Sequence, residues 1–281
     1  MSDLPLLLVQ TILLRPYVFL FLAASLFSAQ RLLGWRRTGW FFLISWITAF
    51  LCEFSSTRTG IPFGLYYYTG STVGEELYLS NVPFMDSLSF TFLLYASYCM
   101  ALLFLLPADS HTPNNRRSLR LRFDLDARTS WPVLFLTALF YVFIDVIIDP
   151  VALRGERWFL GQIYGYTYPG IYFGVPIENF IGWAVVGLIA LSGYGIVDRK
   201  LPRLSDTVGT DSNATRNILL GCGLYYGVLA FNVAVTFWIG EPLLGMTSLF
   251  IYLPITAFFC LRLLNKFPTV SFRIPVSGSR P

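Results

Sequence analysis

Two aspartates lie four residues apart in an otherwise apolar run, within YVFIDVIIDPVALRGERWF at 141–159. On a helix, Asp145 and Asp149 would share one face. An ionised carboxylate is costly in apolar surroundings, so that face must point into a protein interior. Two like charges so close disfavour simultaneous ionisation, which predicts a neutral acid beside an anion, suited to proton transfer. The alternative is structural pairing with a basic residue: Arg15, Arg58, Arg154 or Arg157.

The elements that position these acids follow from composition. Of 281 residues, 55% are apolar and only 13% are charged, against roughly 25% charged residues in soluble domains. The mean hydropathy is +0.61. Stretches of about 20 apolar residues, long enough to span a bilayer, cover 16–34, 38–56, 84–106, 131–149, 177–197, 217–239 and 243–263. The sequence therefore predicts an all-α polytopic membrane bundle of seven helices, one integral membrane domain over 1–281, with 4–14 as a further apolar run before Arg15.

Basic residues predict the orientation, because Lys- and Arg-rich loops stay cytoplasmic. Of the 20 basic residues, 16 fall in the 30–38 loop, the polar loops at about 107–130 and 198–216, and the C-terminal tail, whose polar part is 265–281. This alternation predicts an N-terminus outside and a cytoplasmic C-terminus. The acids on the cytoplasmic side are interpreted as solvated connectors: Asp109, Asp124, Asp126, Asp198, Asp206 and Asp211.

The remaining carboxylates near the predicted helix ends collect at the outer face. They are Glu53, Asp86, Asp145, Asp149 and Glu178. Each lies within a turn or two of hydrocarbon, where acidic side chains mark functional sites. The sequence therefore predicts a shared group of acids at the outer mouth of the bundle.

Two outer segments, 53–70 and 161–183, are dense in Gly, Pro and Tyr. Irregular backbone at membrane depth requires protein or a cavity to satisfy its polar groups. These segments are therefore predicted to be re-entrant loops that cap the mouth of the bundle. Ordinary tyrosine-rich interfacial loops are the alternative.

Several mechanisms are excluded by residues that the chain lacks. The one histidine, His111, lies in a polar loop, which excludes a His-rich di-iron site. The four cysteines (Cys52, Cys99, Cys222 and Cys260) have no metal-ligand spacing. No lysine falls within a predicted helix, so a retinal Schiff base is excluded, and nucleotide-binding motifs are absent. No metal, cofactor or nucleic-acid partner is expected.

Four ordered motifs carry a family resemblance: EFSSTRTGIPFGLYYYTG, VPFMDSLSF, FIDVIIDP and YFGVPIENFIGW. They resemble the membrane carotenoid-biosynthesis family that includes carotenoid 1,2-hydratases and bisanhydrobacterioruberin hydratases. The resemblance covers about 50–185, and the flanks agree only in topology. This chain departs from the usual tryptophans at Ile144 and Phe90, which belong to the predicted cavity wall.

The resemblance implies cofactor-independent hydration of a terminal trisubstituted alkene of a carotenoid or related isoprenoid. Asp145 or Asp149 would protonate the alkene, and water would capture the tertiary carbocation. Glu53 or Glu178 would orient that water and accept its proton. Substrate-binding roles are expected for Asp86, Asn179, Tyr66, Tyr68, Tyr164, Tyr166, Tyr172, Phe63, Phe173 and Trp183. The partners would be a lipophilic polyene, water and the bilayer, with the prokaryotic plasma membrane as the location.

Three alternatives to a hydratase stay open from the residues. An isoprenoid cyclase would use the same protonation, but an internal alkene would capture the cation. A proton-coupled transporter also needs intramembrane acids, although no internal repeat is found between the two halves of the chain. A polyene-binding scaffold would perform no chemistry. The choice between Asp145 and Asp149, the number of ends hydrated and the oligomeric state are also open.

Overall fold

The computed structural model describes residues 4–107, 119–123, 125–202 and 211–264, without the side chains of Asp211 and Ser212. His111, Asp109, Asp124, Asp206, the side chain of Asp211 and the tail 265–281 lie outside the described residues. The described chain is mostly helical, with two short antiparallel strand pairs.

The helices begin and end close to the predicted bounds. They are α1 Leu4–Leu14, α2 Pro16–Leu33, α3 Trp35–Thr59, α4 Phe84–Leu105, α5 Leu125–Arg128, α6 Trp131–Ala152, α7 Ile177–Lys200, α8 Asp211–Trp238 and α9 Pro242–Leu263. Seven of them, all except α1 and α5, are long and apolar enough to cross a membrane. The prediction of a seven-helix polytopic bundle is therefore confirmed, while its orientation stays a prediction.

Helix α4 forms the centre of the bundle. It packs against α2, α3, α6 and α8, and its buried side chains lie around the whole helix. Its close approach to α8 depends on Gly221, where an added Cβ would lie 2.2 Å from Cys99 Sγ. Asp86, in the first turn of α4, therefore lies on the most enclosed helix of the bundle.

The two tyrosine-rich segments pair with each other, which the sequence did not predict. Strand β1 (Tyr66–Tyr68) is antiparallel to β4 (Tyr164–Tyr166), and β2 (Tyr78–Leu79) pairs with β3 (Val82–Pro83). The register sets Tyr66 opposite Tyr166 and Tyr68 opposite Tyr164. Alternate residues of a strand face the same side, so these four tyrosines face the acids. The re-entrant depth of the segments in the bilayer stays a prediction.

At the opposite end of the bundle, Asp198 is buried, which corrects its interpretation as a solvated connector. The Arg128 guanidinium donates to both of its carboxylate oxygens, at 3.0 Å and 3.1 Å, and Arg37 donates through Nε. Both arginines are themselves buried. Helices α3 and α7 and the turn before α6 converge here, so the acid is enclosed and must be paired.

Candidate functional site

Asp145 and Asp149 lie on one face of α6, as predicted, and both are buried. Asn179, in the first turn of α7, donates through Nδ2 to Asp145 Oδ2 at 2.7 Å and to Asp149 Oδ2 at 2.7 Å. One amide group thus bridges the two carboxyl groups. The helix spacing brings the acids together, and the packing of α7 on α6 supplies the bridge.

The strand pair supplies two further donors to Asp149. Tyr164 donates to Oδ1 at 2.9 Å and Tyr166 donates to Oδ2 at 3.0 Å. Burial, followed by the charge of Asp149, raises the pKa of both tyrosines well above the ordinary value, so their hydroxyls stay protonated donors. Asp145 receives only the Asn179 amide, and its Oδ1 is buried without a hydrogen-bond partner. Three donors therefore favour the anion on Asp149, and the unpaired oxygen favours a protonated Asp145.

A second pair of acids lies across α3 and α4. The Tyr68 hydroxyl is 2.9 Å from Glu53 Oε1 and 2.7 Å from Asp86 Oδ2. Ser87 Oγ donates to Glu53 Oε2 at 2.5 Å. A tyrosine has one hydroxyl hydrogen, so both contacts of Tyr68 are satisfied only when Glu53 or Asp86 carries a proton. The contacts around Tyr68 thus call for one proton on the Glu53/Asp86 pair.

Three of the four acids line one cavity with two chambers. The polar chamber is lined by Glu53, Asp86, Asp149, Asn179 and the four inward-facing tyrosines, among others. The apolar chamber is lined largely by α2, α4, α6 and α8. The chambers share Asp86, Ser89, Leu93, Ile148, Ala152 and Tyr164. A water-filled reaction site can therefore adjoin an apolar ligand site.

The sequence matches that of a known family over residues 7–254, and the description of that family is "carotenoid biosynthesis protein". The chain belongs to the carotenoid biosynthesis protein family. The match extends beyond 50–185 to α2, α8 and most of α9, which include the walls of the apolar chamber. Membership indicates a role in carotenoid metabolism, an enzymatic function and an integral membrane location. No curated protein and no solved structure matches the chain.

In this carotenoid biosynthesis protein, none of the four nearby arginines forms an ion pair with Asp145 or Asp149, so the structural-pairing alternative is wrong. Arg15 is buried with Glu76, at 3.2 Å. Arg154 lies 3.1 Å from Glu241, which also pairs with Arg157. Arg58 donates to Asn81 Oδ1 at 2.8 Å. The aspartates therefore depend on neutral donors, which leave the pair able to hold a proton.

Most of the predicted binding residues line the polar chamber. Phe63 and Trp183 pack with Phe90, whose ring stacks on Trp183 at a centroid distance of 4.4 Å. The other residues that line it as predicted are Asp86, Asn179, Tyr66, Tyr68, Tyr164 and Tyr166. Sequence reasoning missed Ser87 and Ser89 as site residues. Their position in the apolar first turns of α4, next to Asp86, was the available signal.

Four predicted site residues line neither chamber: Asp145, which reaches the site through Asn179, and Glu178, Tyr172 and Phe173. Glu178 is exposed at the start of α7, because neighbouring residues of a helix do not face the same side and Asn179 occupies the inward position. Tyr172 packs on Phe173, at a centroid distance of 5.0 Å, outside the cavity. The shared group of acids is therefore Glu53, Asp86, Asp145 and Asp149, without Glu178.

Among the described residues, no group of three or more His, Cys, Asp or Glu side chains is arranged to hold a metal ion. The acids of the site instead contact tyrosine, serine and amide donors. These neutral groups can position protons and water. The arrangement is therefore suited to acid–base chemistry.

Proposed function

We propose that this protein hydrates a terminal trisubstituted alkene of a carotenoid or related linear isoprenoid, without a cofactor. The observation that carries the proposal is two carboxyl pairs, each bridged by a neutral donor, beside one cavity whose second chamber is apolar. Hydration needs an acid, a water and a base around an apolar chain end. The four acids and the two chambers would supply these parts.

The Asp145/Asp149 pair donates the proton. Asp149 lines the chamber and is the member that touches substrate, while Asp145 lies behind it and holds the proton in the resting pair. The proton first moves from Asp145 to Asp149. The O–H bond of Asp149 then breaks as a C–H bond forms at the less substituted alkene carbon. The alkene π electrons form that bond, and a tertiary carbocation remains on the neighbouring carbon.

The Glu53/Asp86 pair receives the proton of the attacking water. A water lone pair forms the C–O bond, and one water proton passes to the ionised member of the pair. The product is a tertiary alcohol, and the net change is the addition of one water. Hydroxyl groups and water in the polar chamber return the proton to the aspartate pair. Glu178 is assigned no part, because it is exposed.

Aromatic rings around the polar chamber stabilise the carbocation. The faces of Phe63, Tyr66, Tyr164 and Trp183 border it, and a ring face attracts a cation. The space open to water-sized molecules in the polar chamber is about 70 Å³, and one water needs roughly 10–15 Å³ on that measure. This room favours capture by water over capture by an internal alkene.

The function is tested by expressing the protein in a host that makes lycopene or γ-carotene and analysing pigment masses. A gain of one water supports hydration. An isomer of equal mass indicates a cyclase instead, and an unchanged pigment profile contradicts both.

Asp145→Asn and Asp149→Asn should each lower the hydration rate by about 10²–10⁴-fold, the usual contribution of general acid catalysis. Purified protein in detergent or liposomes is assayed by product chromatography, with expression levels matched. Glu75→Gln, at an exposed acid of the same end, is the control and should retain the wild-type rate. Full activity in both aspartate variants would rule out the assigned proton donor.

Glu53→Gln and Glu178→Gln separate the two candidate bases. Glu53→Gln should lower the rate by about tenfold or more because it removes a buried proton acceptor, and Glu178→Gln should leave it unchanged. The reverse result, measured in the same assay, would show that the exposed acid and not the buried one accepts the proton.

A further inference from the structure

An apolar groove runs along the lipid-facing side of the bundle, between α2 and α8. The space in it open to water-sized molecules is about 350 Å³, and α2 contributes Phe21, Ala24 and Phe27 to it. Helix α8 contributes Gly223 and Gly227, among others. Ala24, Phe27 and Gly223 are exposed, so in a bilayer the groove is open to the lipid chains.

The groove continues the apolar chamber. Phe21 lines both, and Val228, next to Gly227 on α8, already belongs to the chamber. Together they follow α8 from Asn232 to Leu219, a length of about 20 Å at 1.5 Å per residue. The path therefore runs from the carboxyl groups to the lipid-facing surface.

We propose that this groove binds the distal part of a linear polyene whose reactive end lies at Asp149, and that the substrate enters between α2 and α8 from the bilayer. The inference rests on the proposed function and adds where the rest of the substrate lies. A conjugated chain is stiff and cannot fold back inside the chamber. It must leave along a straight path, and along α8 the groove residues from Gly227 to Leu219 directly follow the chamber residue Val228.

The walls of the groove suit a flat conjugated chain. A Cβ added at Gly223 would meet no atom within 4 Å, and one at Gly227 would meet the Phe21 ring at 3.6 Å. The two glycines leave a smooth wall on α8, and Phe21 and Phe27 line the groove from α2. The Arg31 guanidinium lies over the Phe27 ring, 4.3 Å from its centroid. Phe21 stacks on Phe92 of the chamber, at a centroid distance of 5.9 Å. Its ring therefore lies at the junction of the groove and the chamber.

The test is a competition between two substrates with the same terminal alkene. One is a full-length linear polyene, and the other is a short isoprenoid that ends within the apolar chamber. Gly223→Leu fills the groove from α8, and Ala24→Leu fills it from α2. Each variant should lower the ratio of long to short hydrated product by about tenfold or more, the factor that burial of about two methylene groups contributes.

Gly195→Leu is the matched control, because a Cβ at Gly195 on α7 also meets no atom within 4 Å. It should keep the wild-type product ratio. An unchanged ratio in both groove variants overturns the inference, and this is the result expected if a lipid acyl chain occupies the groove. Equal loss of both products in both variants also overturns it. If the wild type hydrates neither substrate, the proposed function itself fails.

Discussion

At the scale of single residues, the position of each hydrogen decides the chemistry. Asn179 points two N–H bonds toward two carboxyl groups, and Tyr68 has one hydrogen for two acids. Neither contact brings a charge, so the acids are not neutralised by arginine. Glu178, next to Asn179, also has a carboxyl group that could accept a proton, but its side chain is exposed and does not face the cavity.

Tyr68→Phe tests the bridge between Glu53 and Asp86. Loss of a hydroxyl bonded to a buried carboxylate should lower the free energy of unfolding by about 1.5–3 kcal/mol and the hydration rate by about tenfold or more. The control is Tyr67→Phe, because Tyr67 is on the same strand but is about half exposed. Equal effects of the two variants in thermal unfolding and rate assays would contradict the bridging role.

The same hydroxyl predicts a pH profile. Burial, then Asp86 and Glu53, raises the pKa of Tyr68 well above its ordinary value of 10.0. The hydroxyl therefore stays a donor below the raised pKa, and its proton is lost only above it. Activity should not fall through loss of this proton as the pH rises to about 10, which rate measurements on wild type and Tyr68→Phe can compare.

At the scale of elements, the position of α7 against the outer segment 60–64 sets the cavity wall. Gly182 on α7 allows this contact, since a Cβ there would lie 2.4 Å from the Phe63 ring and 2.9 Å from the Pro62 carbonyl oxygen. Phe63 lines the polar chamber. Gly182 thus allows the segment 60–64 to pack against α7 with Phe63 in the cavity wall.

Gly182→Ala should lower both the thermal stability and the hydration rate, although alanine is the better helix former by about 1 kcal/mol. The backbone contact cannot yield without displacing Phe63, and overpacking costs about 1–3 kcal/mol. Gly195→Ala, at a helix position with open space, should be neutral or stabilising. Unfolding in detergent measures the difference, and equal midpoints would contradict this account of the wall.

At the scale of the whole molecule, the acids beside the cavity and the acid at the opposite end have different partners. Glu53, Asp86, Asp145 and Asp149 contact neutral donors, while Glu76 at the same end pairs with Arg15. At the opposite end, Arg37 and Arg128 surround Asp198. The first arrangement is suited to proton transfer, and the second pairs charges between packed helices.

Asp198→Asn should lower the free energy of unfolding by about 3–5 kcal/mol, because it leaves two buried arginines without a counter-charge. The product formed by the folded fraction should stay the same, since none of the three residues of this cluster lines the cavity. Asp126→Asn, at an exposed acid on the same side, is the control. A changed product with unchanged stability would contradict the structural role.

The sequence by itself determined the seven helices and identified four acids that the structure brings together, because spans need about 20 apolar residues and charges within them are conspicuous. The tertiary structure decided that Tyr66 meets Tyr166 and Tyr68 meets Tyr164 across the chain, that Asn179 and not Glu178 faces inward, and that Asp198 is buried. Strand pairing between distant segments and the rotation of a helix about its axis depend on packing partners. Local apolar patterns contain little information about either.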